Sequence, residues 1–456
     1  MASVLLISTY ELGHQPFGLA SPAAWLRNAG ADVHCLDLAF QPLDENLVLC
    51  ADLIAIYLPM HTASRLAARL IPRLKDLNAR ALLCCFGLYA PANEEYLRRL
   101  GVHTIIGGEF EPALVELLET LSPQGSSHAD QSQSSISLER LDFQLPDRSL
   151  LPALDDYAQL IGPDGSRRLA GYTEASRGCK HFCRHCPIVP VYNGRFRIVQ
   201  KEIVLADIRQ QVEAGAQHIT FGDPDFFNGP GHALPIVEAL HEEFPALTYD
   251  VTIKIEHLLK YDHLLPTLRD TGCLFITSAV ESVDDHVLER LDKRHTRQDF
   301  VQAVYSLRQV GLLLNPTFVT FSPWTTAAGY LDMLSLLREL DLIDQIAPIQ
   351  YAIRLLIPSG SKLLQLEEIV SLVGPFDRQA FCYPWQHPDP AIDKLYERVF
   401  HLVRQSQKTA VSRPVLFESI WQTVLESDPE LKSAFPEQTT WDLAAKPVPR
   451  LSESWY

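Results

Sequence analysis

Two long stretches of this sequence alternate short apolar runs with helical patterns. In residues 1–121, helical patterns such as RLAARLIPRLKDL and PALVELLETL separate strand-like runs rich in Val, Ile and Leu. Strands that alternate with crossover helices form parallel sheets. We therefore predict a doubly wound parallel-sheet α/β domain over residues 1–121, with ligands bound at the carboxyl ends of its strands. The predicted strands are 4–9, 31–38, 52–59, 79–87 and 102–111.

Residues 168–360 repeat the alternation in a second unit. Helical patterns such as QKEIVLADIRQQVEAG lie between six strand-like runs. Six βα units in succession predict a partial (β/α)6 barrel, which we assign to residues 165–375. The active site of such a barrel lies at the C-terminal ends of its strands. The predicted strands are 170–176, 216–223, 247–254, 273–280, 314–322 and 349–358.

Two remaining segments lack this alternation. Residues 122–140, SPQGSSHADQSQSSISLER, are rich in Ser and Gln and have no apolar period. That composition predicts a flexible linker between the two units. Residues 376–456 contain helical segments and many prolines but no repeat. We interpret them as a C-terminal helical extension.

The overall composition narrows the functional classes. The 456 residues carry a formal net charge of −17, which disfavours extended contact with nucleic acid backbones. No apolar run reaches the length of a membrane-spanning helix, and the opening MASVLLISTYELGH lacks the basic start of a signal peptide. We expect a cytoplasmic protein. Nine unevenly placed cysteines do not form the pattern of a disulfide framework.

A short loop after the first predicted barrel strand contains three cysteines. In SRGCKHFCRHCPIVPVYNG (176–194), the spacing is Cys179-x3-Cys183-x2-Cys186. A structural zinc site usually adds a second cysteine pair or spaced histidines; His181 and His185 are near, but no second pair follows. An electron-transfer iron–sulfur site would need a fourth cysteine. Three thiolates can hold three irons of a cubane and leave the fourth iron open to a ligand.

The CxxxCxxC loop after the first strand of a partial barrel resembles the radical SAM superfamily. The resemblance covers about residues 168–360 and implies that Cys179, Cys183 and Cys186 bind a [4Fe–4S] cluster. In that family the open iron chelates S-adenosylmethionine. One electron from the cluster then cleaves the sulfonium to methionine and a 5′-deoxyadenosyl radical. The resemblance also implies an external electron donor such as flavodoxin or ferredoxin.

The same resemblance implies a set of S-adenosylmethionine contacts near the strand ends. His185 stands where the family usually has an aromatic residue beside the adenine. The carboxylates after the second strand could instead be turn or helix-cap residues, Glu281 and Ser282 could cap the next helix, and Arg197 could be a surface charge. The implied contacts are His185, Arg197, Gly222, Asp223, Asp225, Glu281 and Ser282.

The N-terminal domain resembles the cobalamin-binding domain that precedes many radical SAM barrels. In GGEFEPALVELL, the resemblance implies cobalamin contacts at Gly107, Gly108 and Glu109. The DxHxxG motif that supplies a histidine to cobalt is absent. His14 lies in the corresponding first loop, without an Asp two residues before it, and is either a cobalt ligand or an ordinary loop histidine. A vestigial or substrate-binding domain is the alternative.

These resemblances together imply a radical SAM enzyme that methylates an unactivated carbon of a small molecule or peptide with cobalamin. We predict no individual catalytic residue. One alternative enzyme forms a carbon–sulfur bond or rearranges its substrate without cobalamin. A transfer-RNA methylthiolase would want extra N-terminal cysteines and a basic RNA-binding module. The non-enzyme alternative is an iron–sulfur electron carrier or a metal-stabilised scaffold.

The last residues carry a weaker resemblance. VPRLSESWY (448–456) resembles the run that precedes a Cys- or selenocysteine-containing tail in the CUAEP/CCAEP-tail subgroup of radical SAM proteins. An ordinary chain end is the alternative. A downstream reading frame after codon 456 that encodes such a tail would distinguish the two.

Overall fold

The computed structural model of the protein describes residues 1–121, 133–409, 411–428, 430–434 and 447–453. The N-terminal domain contains a six-stranded sheet in the order β2-β1-β3-β4-β5-β6, in which every pair is parallel. Its strands are β1 (Ser3–Ser8), β2 (Asp32–Asp37), β3 (Leu53–Tyr57), β4 (Leu82–Phe86), β5 (Thr104–Gly108) and β6 (Gln133–Ser137). Its helices are α1 (Phe17–Asn28), α2 (Glu45–Cys50), α3 (His61–Leu77), α4 (Glu94–Arg99) and α5 (Glu111–Thr120).

This sheet is covered on both faces, as expected for an all-parallel sheet whose crossover helices lie on either side. All five residues of β3 are buried, and so are all five of β5. The strand order reverses between β1 and β3, and ligands of doubly wound sheets bind at such a reversal. The loop after β1 that contains His14 lies at this point. The predicted doubly wound fold is confirmed.

The predicted linker is partly a strand. Residues 122–132 lie outside the described residues, but β6 pairs in parallel with β5, with Gly107 opposite Ile136. A flexible segment was therefore the wrong prediction for residues 133–137. The edge of a sheet offers unpaired backbone groups, so a Ser- and Gln-rich segment can form a strand without an apolar period.

The second unit contains a seven-stranded sheet in the order β14-β13-β12-β11-β8-β7-β15, with a β10-β9 hairpin beside it. The strands are β7 (Gln159–Ile161), β8 (Arg167–Thr173), β9 (Ser176–Gly178), β10 (Phe196–Ile198), β11 (His218–Phe221), β12 (Thr248–Thr252), β13 (Cys273–Glu281), β14 (Leu313–Phe318) and β15 (Arg450–Leu451). The helices up to its end are α6 (Ile188–Tyr192), α7 (Lys201–Glu213), α8 (Pro230–Glu243), α9 (Ile255–Lys260), α10 (Leu265–Asp270), α11 (Asp285–Arg290), α12 (Arg297–Val310) and α13 (Ala327–Glu339).

Five of these strands, β8 and β11 to β14, pair in parallel and form the partial barrel. The sixth predicted strand, 349–358, is reduced to one bridge between Phe321 and Arg354. Its first residues form a 3₁₀ turn, Pro348–Tyr351. The predicted partial barrel is confirmed, with a short last strand. At the other edge of this sheet, strands β7 and β15 are added by antiparallel pairing.

The C-terminal residues form α14 (Glu367–Val370), α15 (Pro390–Thr409), α16 (Arg413–Ser427) and α17 (Leu431–Ala434). Helices α15 and α16 share an apolar core with the outer face of the barrel. The residues buried there include Leu395 of α15 and Phe417 and Trp421 of α16. These helices therefore extend the helical layer of the barrel. Among the described residues, no helix is both long and apolar enough to cross a membrane.

Candidate active site

The cysteine loop lies between the two strands of a small hairpin. Strand β9 ends at Gly178 and pairs antiparallel with β10, which follows the loop. Gly178 has φ +77°, and a Cβ there would lie 2.3 Å from the ring of Tyr192. Only glycine fits this position, so the hairpin can turn sharply into Cys179.

The three thiols of this loop lie close enough to influence one another. Cys183 is buried, and Cys179 and Cys186 are half-buried. Burial raises the pKa of Cys179 to about 11 and that of Cys186 to about 12, and the neighbouring thiols add to both shifts. Metal binding to such thiols must release their protons. The donor set fits an iron–sulfur cluster, because one loop supplies three convergent sulfurs.

Asp223, after β11, holds the entrance of this loop. Its carboxylate accepts hydrogen bonds from the Ala175 amide at 2.8 Å and the Ser176 hydroxyl at 2.5 Å. Burial raises the pKa of Asp223 to about 7. The preceding Gly222 is required by packing, since a Cβ there would lie 1.9 Å from the Tyr172 hydroxyl. Asp223 and Gly222 therefore stabilise the start of the cysteine loop. Their contact with S-adenosylmethionine remains a prediction.

Asp225 joins two histidines next to Cys179. It caps the 3₁₀ turn Phe226–Asn228, as the helix-cap alternative proposed. Its Oδ2 lies 2.6 Å from Nδ1 of His257 and 3.4 Å from Nε2 of His181. Burial alone would raise the pKa of Asp225, but the two imidazoles outweigh it and lower the pKa. Donor atoms of Cys179, His181 and Asp225 all lie within 4.8 Å of one another.

Glu281 ends β13 at the carboxyl end of the barrel. Its Oε1 lies 2.9 Å from Nε2 of His185 and 3.5 Å from Nζ of Lys293. Burial opposes ionisation of Glu281, but Lys293 and then His185 outweigh it and lower the pKa to about 2. The structure thus brings together Glu281 and His185, which sequence reasoning had proposed separately.

The backbone around this pair is strained. Glu281 has φ +68°, and Asp292 and Arg294, on either side of Lys293, have φ 52° and 56°. Residues other than glycine rarely adopt this left-handed backbone conformation. Backbone strain of this kind clusters at functional sites. Sequence reasoning missed Lys293, because nothing in the run DKRH marks one cation as the partner of a strand-end carboxylate.

Ser282 and Arg197 have structural partners. The Ser282 hydroxyl accepts a hydrogen bond from the Asp284 amide at 3.1 Å, before α11, and the residue also lines a cleft with Glu281 and Trp324. Arg197 is half-buried on β10, and its Nε donates to the Leu138 carbonyl at 2.5 Å. Arg197 therefore anchors the chain after β6 and is not a free surface charge.

Both ends of the cysteine loop dock on the N-terminal domain. Arg177, two residues before Cys179, pairs with Glu111 at 2.8 Å and Glu109 at 3.3 Å. After the loop, the Tyr192 hydroxyl donates to Glu109 at 3.1 Å. Burial raises the pKa of Glu109 to about 7, against the opposing effect of Arg177. Arg177 also pairs with Glu174 at 2.7 Å. Sequence reasoning missed Arg177, because its partners in the N-terminal domain lie more than 60 residues away.

The residues predicted to contact cobalamin are packed tightly against other residues of the protein. A Cβ on Gly107 would lie 2.4 Å from Pro91, and one on Gly108 (φ +72°) would lie 2.0 Å from the Ser137 carbonyl. His14 is buried, with its ring 4.8 Å from that of Tyr172, and burial lowers its pKa to about 4. Pro91 and Ser137 therefore fill the space beside Gly107 and Gly108, and the contact of these glycines, Glu109 and His14 with cobalamin remains a prediction.

Comparison with known proteins agrees with this geometry. Residues 173–322 match the Radical SAM superfamily. The chain is 25% identical over 346 residues to the hopanoid C-3 methylase of Methylococcus capsulatus, covering 71% of this chain and 64% of that protein. It is 26% identical over 230 residues to the tRNA-2-methylthio-N(6)-dimethylallyladenosine synthase of Desulfosudis oleivorans, covering 47% of this chain and 48% of that protein. The chain thus spans about half to two thirds of the length of these relatives.

Two solved structures share the fold. The cobalamin-dependent S-adenosylmethionine radical enzyme OxsB, with aqua-cobalamin bound, superposes with a TM-score of 0.73 at 14% identity, over 96% of this chain and 74% of OxsB. The radical S-adenosylmethionine methyltransferase TsrM from Kitasatospora setae, with cobalamin and a [4Fe-4S] cluster bound, has a TM-score of 0.58 at 15% identity, over 75% of this chain and 74% of TsrM. Both likenesses concern the fold.

Proposed function

Because this chain carries a radical SAM domain, we propose that it is an enzyme that reductively cleaves S-adenosylmethionine. The observation that carries the proposal is the position of three convergent thiols, which lie on the loop after the first barrel strand. The ion pair of Glu281 with His185 and Lys293 lies beside them. Burial lowers the pKa of Lys293, but Glu281 and then the thiols of Cys183 and Cys186 outweigh burial and raise it, so the ammonium lies within electrostatic range of the thiols.

Each group has a role in this proposal. Cys179, Cys183 and Cys186 hold the [4Fe–4S] cluster, and the absence of a fourth loop cysteine leaves one iron for the amino and carboxylate groups of S-adenosylmethionine. When bound and reduced by a donor such as flavodoxin or ferredoxin, the cluster supplies the electron that breaks one carbon–sulfur bond, giving methionine and a 5′-deoxyadenosyl radical. Glu281 and His185 orient the polar groups of S-adenosylmethionine at the strand ends.

The finer proposal is that the N-terminal domain holds cobalamin and that the product is a methylated carbon of a small molecule or peptide. Its support is the likeness of both domains to OxsB and TsrM, and the sequence similarity to a methylase. The packing around Gly107 and Gly108 gives no further support for cobalamin binding, and we derive no reaction step from these residues.

A second candidate is radical chemistry without cobalamin, such as a rearrangement or carbon–sulfur bond formation. The observation that favours it is the filled space beside Gly107 and Gly108, which Pro91 and Ser137 occupy. In this case the N-terminal domain acts as a support for the cysteine loop through Glu109 and Glu111.

Anaerobic reconstitution with iron and sulfide tests the proposal. We expect about four irons per chain and 5′-deoxyadenosine after addition of dithionite and S-adenosylmethionine. Cys183→Ala should abolish both. Cys50→Ala, which removes an exposed thiol at the end of α2 in the N-terminal domain, should leave both unchanged. Wild-type protein without a cubane, or full cleavage in Cys183→Ala, would contradict the proposal. Corrinoid absorption of the purified protein and a methylated product separate the first candidate from the second.

A further inference from the structure

The cysteine loop and the hairpin that encloses it carry a local charge opposite to that of the whole protein. Residues 175–201 contain six Lys or Arg residues and no Asp or Glu, whereas the whole chain contains 39 Lys or Arg and 56 Asp or Glu. Within this segment, Arg177 pairs with buried carboxylates and Arg197 donates to a backbone carbonyl, so both stabilise the fold. Lys180 and Arg195 are exposed. Their charge therefore faces solvent.

Two aromatic rings connect these exposed cations with a third cation from a distant part of the chain. Nζ of Lys180 lies 4.8 Å from the centre of the Phe196 ring, and Nζ of Lys362 lies 4.9 Å from the centre of the Phe182 ring. The Phe182 ring packs on Gly194, where a Cβ would lie 2.3 Å from it. Because Gly194 is only two residues from Phe196, these contacts form one continuous surface.

This surface combines charge with accessible apolar groups. The two rings are half-buried, and Ile198, which shares a face of β10 with Phe196, is 45% exposed. Among the described residues, none of the three cations forms an ion pair. Apolar groups surrounded by a charged rim are typical of a protein interface. We call this surface the basic patch and define it as Lys180, Phe182, Arg195, Phe196 and Lys362.

The basic patch adjoins the three thiols. Lys180 follows Cys179 directly, and Phe182 precedes Cys183. Consecutive Cα atoms are about 3.8 Å apart, so a partner bound on the patch lies close to the thiols. Electron transfer between proteins slows steeply with the distance between the redox groups. A donor bound at this surface would bring its redox group to the side of the molecule that holds the proposed cluster.

We propose that the basic patch is the docking surface of the electron donor, a small acidic carrier protein. The inference rests on the proposed function and adds the place where this chain receives its electron. When the carrier is a flavodoxin, its flavin hydroquinone loses one electron and becomes the semiquinone, and the cluster is reduced by that electron.

Charge complementarity supports an acidic carrier as the occupant. The net charge of −17 repels an acidic protein from the rest of the surface, while the patch attracts it, so encounters are directed to the cysteine loop. Complexes between redox carriers are small and transient, with less than about 1,200 Å² of buried surface. Three cations around two rings suit a contact of that size. A nucleic acid backbone rewards many more cations than the patch offers.

The experiment measures the binding of oxidised flavodoxin, and of a plant-type ferredoxin, to the reconstituted full-length protein by titration calorimetry. No electron is transferred, so the measurement is independent of enzyme activity. We expect at least one carrier to bind at low salt and to bind more weakly at high salt, because salt screens exposed charges. The double variant Arg195→Glu/Lys362→Glu, compared at equal iron content, should raise the dissociation constant about tenfold or more.

Arg80→Glu/Lys408→Glu is the matched control, because it reverses two exposed cations and changes the net charge by the same amount. Arg80 precedes β4 at the amino edge of the N-terminal sheet, and Lys408 lies in the last turn of α15. Binding should stay close to the wild-type value in this variant. Transfer RNA, added as a competitor, should not displace the carrier.

Four results would overturn the inference: no binding of either carrier to wild type, unchanged binding in the patch variant, an equal loss in the control, or displacement of the carrier by transfer RNA. Failure of the proposed function has a different signature. Wild-type protein would then form no 5′-deoxyadenosine with dithionite, whereas failure of the inference alone leaves that reaction intact.

Discussion

The two parallel sheets of this molecule bury their faces differently. In the N-terminal sheet, adjacent residues of one strand enter two separate apolar cores: Ile54 and Ile56 pack on one side, and Leu53 and Ala55 on the other. In the barrel, Ile276 enters the core, and its neighbour Thr277 is half-buried on the concave face, the inner side of the barrel. A sheet that is packed on both faces leaves only the ends of its strands for a ligand, whereas the barrel sheet also has half-buried polar side chains on one face.

The comparison also assigns a role to the contact between the two sheets. The loop after β5 of the N-terminal sheet presents Glu109 and Glu111 to Arg177, at the start of the cysteine loop. The side chains that we assign to cleavage of S-adenosylmethionine therefore belong to the barrel, and the N-terminal domain holds their loop in place. Three changes of decreasing effect test this division.

Arg177→Met tests the connection. It leaves the carboxylates of Glu109, Glu111 and Glu174 without their cation, and breaking such a buried group costs about 3–5 kcal/mol. We expect a matching fall in the urea midpoint of the reconstituted protein and a changed electron paramagnetic resonance spectrum of the reduced cluster. Arg148→Met is the control, because Arg148 forms an equally buried pair with Asp207 outside the cysteine loop. It should lower stability and leave the spectrum unchanged; identical spectra for both variants would contradict the supporting role.

Alanine substitutions in neighbouring pairs test the difference between the sheets. In β3, Leu53→Ala and Ile54→Ala should each cost about 2–5 kcal/mol, since both side chains are fully buried. In β13, Ile276→Ala should cost the same. Thr277→Ala should cost less than about 1 kcal/mol, because Asn315, which donates to it at 3.1 Å, can turn to water. Urea unfolding of the four variants measures these costs, and a large loss for Thr277→Ala would show that the concave face is packed.

The smallest expected effect is on pH dependence. The pKa of Glu109 is about 7 in the folded protein and 4.5 ordinarily, so the folded state keeps a proton that the unfolded chain releases. The contribution of this group to stability is therefore largest below pH 4.5 and falls as the pH rises to about 7. Glu109→Gln should lose less stability than wild type between about pH 5 and 7.5. Glu95→Gln, at an exposed carboxylate, should follow the wild-type curve, and equal slopes for all three proteins would contradict the prediction.

Much of the fold could be predicted because local signals agree with it. The strand–helix alternation places all five predicted strands of residues 1–121 and five of the six predicted barrel strands. Of the strands that were missed, β9 and β10 form a short hairpin beside the barrel sheet. The others, β6, β7 and β15, add to the outer edges of the two sheets. Their stability comes from the sheet edge that they join, so no local apolar pattern marks them.

The candidate site divides in the same way. The spacing of Cys179, Cys183 and Cys186 limits how far apart their sulfurs can lie, and its resemblance to the radical SAM motif predicts that the three sulfurs converge. Which cations and carboxylates face them was decided only by the tertiary structure. Lys293 meets Glu281, and Arg177 meets Glu109 and Glu111, across long stretches of chain. Charge pairing at a distance depends on where the folded backbone carries each side chain, and neighbouring residues in the sequence do not encode that position.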